Sequence, residues 1–434
     1  MKIFKIMLKI QDVNNKIYDL AVIGGGPAGM MAAGRAAELG ADVILLEKNA
    51  TLGKKLLLTG GGRCNLTNLN CETAFFSDRL QASAKFLLSP FSQHNVKDTL
   101  DFFKSHGLQT KTENEGRVFP TSNKAQTVLN VLIKYLYDGK VEIKTGVKIV
   151  KLETINKTIK KIKLANGQTI CAQAVVLASG GQSYPLTGSD GLGRYWLKKL
   201  GHKLKHSNPI LVPIKIKETW VKKFAGVSLE GVSLKLETKK LKKITEPGQL
   251  LFTHFGLSGP LALNLSGFLG ATLKTEPVKL SIDFFPEIRA EELEQKLLYF
   301  GEKNKNRKIK NVLEFLIRSA LIPVILTKTN IDGEQEFNAL NRVARKKLIE
   351  ILKGLALTPS GLLGMDQAIA SSGSLDLKEV DSKTMRSRII NNLYLIGDLL
   401  DIDRPSGGYS LQICWTSGYV AGEAVAKQIK INHL

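Results

Sequence analysis

The sequence predicts an α/β protein whose parallel sheet is interrupted by a long insertion. Three observations predict it. A strand, a glycine turn, a helix and a second strand follow one another within residues 20–47. An apolar strand, another glycine turn and a helix return at 392–429. Between about 197 and 360 the pattern changes to short alternating strands and then to helical spacing.

The first strand is the apolar run Leu20–Ile23. Gly24, Gly26 and Gly29 then form G-x-G-x-x-G, with Pro27 and Ala28 inside it. The first glycine allows a tight turn, the second lets backbone approach a pyrophosphate, and the third lets helix and strand pack closely. The helix Ala28–Leu39 aims its positive N-terminus at the phosphates. A second strand, Asp42–Leu46, ends at Glu47, where a ribose-binding acid is expected about 20 residues on. Lys48 follows it. This is a Rossmann-type, dinucleotide-binding βαβ unit of the glutathione-reductase-like kind.

A second glycine cluster points to FAD rather than NAD. Thr59-Gly60-Gly61-Gly62-Arg63-Cys64-Asn65 is too glycine-dense for a helix or strand interior. Such a loop presses backbone against a flat ligand, with Arg63 and Asn65 as donors; a turn-rich linker is the plainer alternative. Near the C-terminus the apolar run from Asn392 ends at Gly397 and Asp398, an acceptor for a ribityl hydroxyl. Gly407, Gly408, Tyr409, Ser410 and Leu411 then lead into a helix, Ile413–Ile429, whose N-terminus faces the flavin. Val147 and Gly180 complete the expected cofactor contacts. A dinucleotide fold finished by its own C-terminus is typical of FAD proteins.

Residues 81–140 read as helical, with apolar spacing of three and four. Strands are expected near Val141–Thr145, Val147–Glu153, Ile159–Leu164 and Ala174–Leu177. The domains are then 18–196 and 361–434 for the cofactor, with an insertion at 197–360. Within the insertion a small antiparallel sheet or barrel is expected over about 205–285, and helices over about 288–356.

The chain has 434 residues and a net charge of +23, from 62 Lys and Arg against 39 Asp and Glu. Lys outnumbers Arg 49 to 13. Compositional bias explains Lys in place of Arg, but it leaves the excess charge unexplained. A strongly basic protein attracts polyanions. Residues 197–364 hold 29 basic against 16 acidic residues, an excess of 13. Lysines concentrate at Lys239–Lys243, Lys303–Lys310 and Arg342–Lys347. Each run alone reads as a solvated face; three in one insertion suggest a phosphate-contacting surface.

Four scattered cysteines without C-x-x-C, and six histidines without clustered spacing, predict no metal and fit a reducing cytoplasm. No apolar run approaches a membrane span. Met1–Lys16 lacks a long apolar core and a cleavage site, so no signal peptide is expected.

LLLTGGGRCNLTN (56–68), ASGGQSYPLTGSDGLG (178–193), LLFTHFGLSGP (250–260) and IGDLLDIDRPSGGYSLQ (396–412) resemble the BaiN-like, YhiN-type FAD proteins. These are also called aminoacetone-oxidase-family oxidoreductases. The resemblance runs from about Tyr18 to the end. It implies FAD as cofactor and reduction of an activated C=C bond. Substrates associated with the family are steroid-like enones and a uridine of large-subunit rRNA, which becomes dihydrouridine. Members commonly carry Asn where Ser410 stands and Gly near Arg404, beside the expected flavin face.

The chemistry needs a hydride at one carbon and a proton at its neighbour. Cys64, Tyr184, His254 and Tyr409 are the candidate proton donors, because each stands in a motif expected near the flavin. One dinucleotide fingerprint leaves NAD(P)H as a transient reductant. Three functions follow: a reductase making dihydrouridine in 23S rRNA, bound as RNA or as a subunit precursor through the basic insertion; a small-molecule enone reductase or amine oxidase; and a flavin-containing RNA-binding factor without catalysis.

Overall fold

A computed structural model describes residues 16–72, 81–205, 207–239, 242–245, 247–304, 306–372, 375–402 and 404–432. Of the features above, residues 1–15, Lys240, Lys305 and Asp403 lie outside the described residues. The chain forms two compact units, 1–207 with 371–434, and 208–370.

In the first unit the described strands form a seven-stranded sheet. Ile17–Ile23 lies between Val43–Leu46 and Thr169–Leu177, parallel to both. Glu142–Lys144 extends the sheet beyond Val43–Leu46, also in parallel. Leu393–Leu395 pairs in parallel with the end of Thr169–Leu177. Thr158–Leu164 and Ile149–Ile155 continue from the start of that same strand as an antiparallel meander. Leu20, Val22, Ile44 and Leu177 are fully buried, as the near-continuous apolar runs of a parallel sheet require.

Pro27–Glu38 follows the first strand, with Pro27 in its first turn. Its other face meets the C-terminal helix, Tyr409–Asn432. A Cβ at Gly418 would lie 2.5 Å from the Ala28 carbonyl oxygen, and one at Gly422 2.5 Å from that of Ala32. Glycine at these positions lets the two helix backbones approach. The C-terminal helix starts at Tyr409, a turn earlier than the expected Ile413.

The 81–140 segment is helical at Gln81–Gln93, Val96–Ser105 and Ala125–Asp138. A three-stranded sheet of Thr67–Asn68, Arg117–Pro120 and Thr110–Thr112 interrupts it. These strands are too short to show a period of two, and one partner of Arg117–Pro120 lies more than forty residues away at Thr67–Asn68.

The second unit is built on an eight-stranded antiparallel sheet. In order these are 355–357, 279–283, 228–237, 248–253, 256–258, 214–216 and 359–362, with 242–244 also on 228–237. Leu355–Leu357 and Pro359–Leu362 are consecutive in the chain yet occupy opposite edges. The sheet therefore curls round without closing into a barrel. Glu218 bridges the seam, accepting from the Thr358 hydroxyl at 2.7 Å and its N–H at 3.0 Å. The helix Gly259–Thr272 falls inside the region expected to be all strand. Its sequence is apolar on every side and so carries no helical period. Helices Ala290–Lys303, Ile322–Thr329 and Arg342–Lys353 cover the core.

The unit boundaries fall at 207/208 and 370/371, where the sequence suggested 196/197 and 360/361. Leu192–Lys199 belongs to the first unit because Trp196 and Leu197 are buried in its core. Pro359–Leu362 belongs to the second because it pairs with Ile214–Ile216.

Candidate cofactor site

The first unit gathers most of the predicted cofactor residues at the ends of its parallel strands. Gly24 has φ +110°, and a Cβ there would lie 2.4 Å from the Ala178 carbonyl oxygen. A Cβ at Gly29 would lie 1.9 Å from the Gly24 carbonyl oxygen. At Gly26 a Cβ would meet nothing within 4 Å. So two glycines serve packing and the middle one fronts open space. The helix behind has no side-chain cap at Gly26, which leaves its first N–H groups for a ligand.

Glu47 is buried, and its carboxylate already works within the protein. It accepts from the Gly25 N–H at 2.7 Å, the Asn49 N–H at 2.8 Å and the Asn49 amide at 2.7 Å. Two carboxylate oxygens offer about four acceptor positions, so one remains for a ribose hydroxyl. Val147 donates its N–H to the Glu47 carbonyl at 2.9 Å, fixing that loop beside it. Lys48 pairs with Asp190 at 2.7 Å.

The second glycine cluster is a short 3-10 turn, Leu56–Gly62, broken at Thr59–Gly61. Gly60, Gly61, Gly62 and Cys64 all have positive φ, between +57° and +85°. Arg63 is directed elsewhere: its guanidinium pairs with Glu113, donates to Asn123 at 2.7 Å and covers the Phe119 ring at 4.1 Å. Asn65 is buried, and its side-chain oxygen has no hydrogen-bond partner. It sits 3.0 Å from where a Gly408 Cβ would be. The Ser179 hydroxyl, beside Gly180, is likewise buried without a partner.

Asp398 ends the last parallel strand. Its carboxylate meets Lys55 at 3.1 Å and Arg404 at 2.5 Å. Burial pushes its pKa up, but Lys55 and Arg404 outweigh this and hold it below the usual range. Lys55 also donates to Ser183 at 2.7 Å, tying three loops together. Arg404 is buried and donates to Ser410 at 2.8 Å and to the Ile402 carbonyl at 2.7 Å. Ser410 and Arg404 therefore contact each other. A Cβ at Gly397 would lie 3.1 Å from that of Ala28, which joins this end to the first helix. Leu411 is buried in the first turn of the C-terminal helix. Lys55 was not singled out from sequence; its signal is Lys54-Lys55 directly ahead of the glycine cluster.

The four candidate proton donors separate. Cys64 is fully buried, and burial pushes its thiol up to about 12. Tyr409 is buried at the start of the C-terminal helix, and burial, then Cys71 and Glu115, push its hydroxyl up to about 12. Tyr184 adopts φ +52° at the head of a short 3-10 turn. His254 is exposed on the turn between two strands of the second unit, with its ring against Phe255.

The first unit thus fits a dinucleotide with a flavin end: open space at Gly26, an acid at Glu47, orphaned polar atoms at Asn65 and Ser179, and a charged cluster at Asp398. Among the described residues no three His, Cys, Asp or Glu side chains converge as metal ligands would. Nor is any described helix long and apolar enough to cross a membrane.

Fold, site and relatives define the class, an FAD-dependent oxidoreductase of the Rossmann type. More particularly, the chain belongs to the HI0933-like protein Rossmann domain family, which matches residues 18–424. It is 33% identical to the 3-dehydro-bile acid delta(4,6)-reductase of Clostridium scindens, over 94% of this chain and 99% of that protein. It is 27% identical to the ribosomal RNA dihydrouridine synthase of Haemophilus influenzae, over 94% and 98%. Among solved structures it resembles the 3-ketosteroid delta1-dehydrogenase of Sterolibacterium denitrificans in fold, with TM-score 0.54, 14% identity and coverage of 95% and 100%.

Proposed function

We propose that this protein reduces the C5–C6 bond of a uridine in large-subunit (23S) rRNA, with NAD(P)H as the source of reducing equivalents. The observation that carries the reading is the net charge of +23 on a chain that aligns almost end to end with an rRNA dihydrouridine synthase. RNA affinity is largely electrostatic. A small neutral substrate gives no reason for such a charge.

FAD, when bound, supplies the hydride. The residues of the chain do the rest. The uracil C5–C6 bond is conjugated to the C4 carbonyl, so hydride at C6 leaves negative charge on oxygen. Donors from the Gly60–Gly62 backbone, the Asn65 amide and the helix start at Tyr409 are proposed to stabilise it. Because Arg63 is engaged with Glu113 and Asn123, its expected donor role passes to these groups. Tyr409, buried at the start of the C-terminal helix, is the proposed source of the C5 proton. A duplex hides the ring, so the target is splayed out or presented before the subunit has folded. Such a substrate places the enzyme in the cytoplasm.

The second reading is reduction of a small enone, favoured by the 33% identity to a bile acid reductase. Its C=C bond is conjugated to a carbonyl in the same way. Nucleoside mass spectrometry of rRNA from cells with and without the gene separates the two. Loss of one dihydrouridine is expected. Unchanged rRNA together with rapid turnover of a small enone favours the second reading.

A further inference from the structure

The expected RNA surface was the insertion, but part of its clustered charge is paired within the unit. Lys308 and Lys310 both pair with Glu334, at 2.6 and 2.5 Å. Arg345 pairs with Glu294 at 2.8 Å, and Lys353 with Asp283 at 2.9 Å. The antiparallel hairpin of the first unit is different. Residues 148–164 hold six lysines, at 148, 151, 157, 160, 161 and 163, against one acid, Glu153. Among the described residues only Lys151 has an ion pair, with Glu153 at 3.3 Å.

The register concentrates this charge. Lys151 stands directly opposite Lys163, and Glu153 opposite Lys161. Opposed residues share a face of the sheet, as do residues two apart. Lys151, Lys161 and Lys163 therefore form one lysine face. The reverse face, with Leu152, Ile162 and Leu164, is buried. Like charges directly across a ladder are destabilising. Lysines on an edge strand are a common guard against aggregation. That explains Lys151 on the outer strand Ile149–Ile155, but not Lys160, Lys161 and Lys163. Those lie on Thr158–Leu164, an inner strand that pairs with Ile149–Ile155 and, at Ile162 and Lys163, with Thr169–Leu177.

The face is also held rigid. The turn at Asn156 and Lys157 has φ +49° and +57°, and the Asn391 N–H donates to the Lys157 carbonyl at 2.7 Å. The buried Asn392 clamps the middle strand: it accepts from the Ile159 N–H at 2.8 Å and donates to the Ile159 carbonyl at 3.0 Å. It also donates to the Gln173 carbonyl at 2.9 Å. Of the three lysines only Lys151 has a counter-ion, and a backbone already fixed loses little entropy on meeting a row of phosphates.

We propose that the hairpin 148–164 is an RNA-docking surface, whose Lys151, Lys161 and Lys163 contact backbone phosphates of the substrate. This rests on the RNA reading above. The test uses the full-length, FAD-loaded protein and an unmodified large-subunit rRNA transcript, with affinity measured across a salt series. The variant combines Lys151→Gln, Lys161→Gln and Lys163→Gln; Lys310→Gln, from an internally paired site, is the control. The triple variant is expected to bind more weakly, and its slope of log affinity against log salt to flatten by about 2–3. Its FAD content should be unchanged, and its unfolding midpoint equal or higher, since a repulsion is removed. Lys310→Gln should match wild type. A wild-type protein that binds the transcript, with a triple variant of equal affinity and slope, overturns the docking surface alone. A wild-type protein that does not bind the transcript overturns the RNA reading and the surface together.

Discussion

Gly26 and Gly29 belong to one motif but are needed for different reasons. A methyl group at Gly29 would strike the turn itself, 1.9 Å from a carbonyl oxygen, while one at Gly26 would meet nothing within 4 Å. Gly26→Ala is therefore expected to fold with stability within about 1 kcal/mol of wild type, the order by which residues at a helix N-cap differ. It should nevertheless bind FAD poorly, because the methyl enters the space kept for the pyrophosphate. Urea unfolding of the FAD-free chain and a fluorescence titration with FAD read the two effects separately; wild-type affinity would remove the pyrophosphate from this turn. His94 makes a different statement. It is buried against Tyr419, and burial lowers its pKa to about 4, with Asp98 opposing. Above the ordinary histidine value of about 6.5 the ring is neutral folded or unfolded and adds no pH dependence. Below it the unfolded chain takes up a proton that the folded chain refuses, so stability falls as pH drops from about 6.5 toward 4, by about 1.4 kcal/mol per unit. Between pH 7 and 5 wild type should lose about 2 kcal/mol more than His94→Gln. His202 is lowered in the same direction by burial and is common to both proteins, so urea unfolding at the two pH values isolates His94. Parallel losses would show that His94 is not the titrating group.

At the scale of elements, the junction of the first and last helices decides whether the site assembles. Replacing a helix-interior glycine by alanine gains about 1 kcal/mol of helix propensity. At Gly418 and Gly422 the added methyl would lie 2.5 Å from a backbone carbonyl of the facing helix, which has no rotamer with which to yield. Overpacking of this kind costs about 1–3 kcal/mol, so the clash wins. Gly418→Ala and Gly422→Ala should each lower the urea midpoint and loosen FAD, because the same helix carries Tyr409, Ser410 and Leu411; a raised midpoint would mean that the helices move apart freely. Elements with a local signal were legible in the sequence. The turn at Gly24–Gly29, its helix, and the run ending at Gly397 and Asp398 each declare themselves within a dozen residues. The sheet of Thr67–Asn68 with Arg117–Pro120 did not, since strands this short have no readable period and pair at long range. Site residues divide the same way. Glu47 was legible from its place after the second strand, but its grip on Gly25 and Asn49 was not. Lys55 acquires meaning only when Ser183 and Asp398 arrive from distant parts of the chain. Arg63 reads as a phosphate donor until Glu113 and Asn123 fold against it.

For the whole molecule, charge and reaction make separable demands. On the proposed reading, hydride and proton transfer to a conjugated C=C bond take place at the cofactor site and are little affected by added salt, because buried interactions are weakly screened. Docking of an RNA is different: each phosphate neutralised releases counterions, and a protein making 6–10 such contacts loses about 10³–10⁵ in affinity between 50 and 200 mM salt. If the charge of +23 serves substrate binding, kcat/KM on an unmodified rRNA transcript should fall by orders of magnitude over that range. The kcat at saturating RNA should fall far less, and turnover of a small enone by the same preparation should hardly change. Steady-state kinetics across the salt series, with dihydrouridine measured by mass spectrometry, checks all three. A kcat/KM on RNA as indifferent to salt as the enone reaction would mean that the basic surface takes no part in catalysis, and the small-molecule reading would then account for the charge no worse than the RNA one.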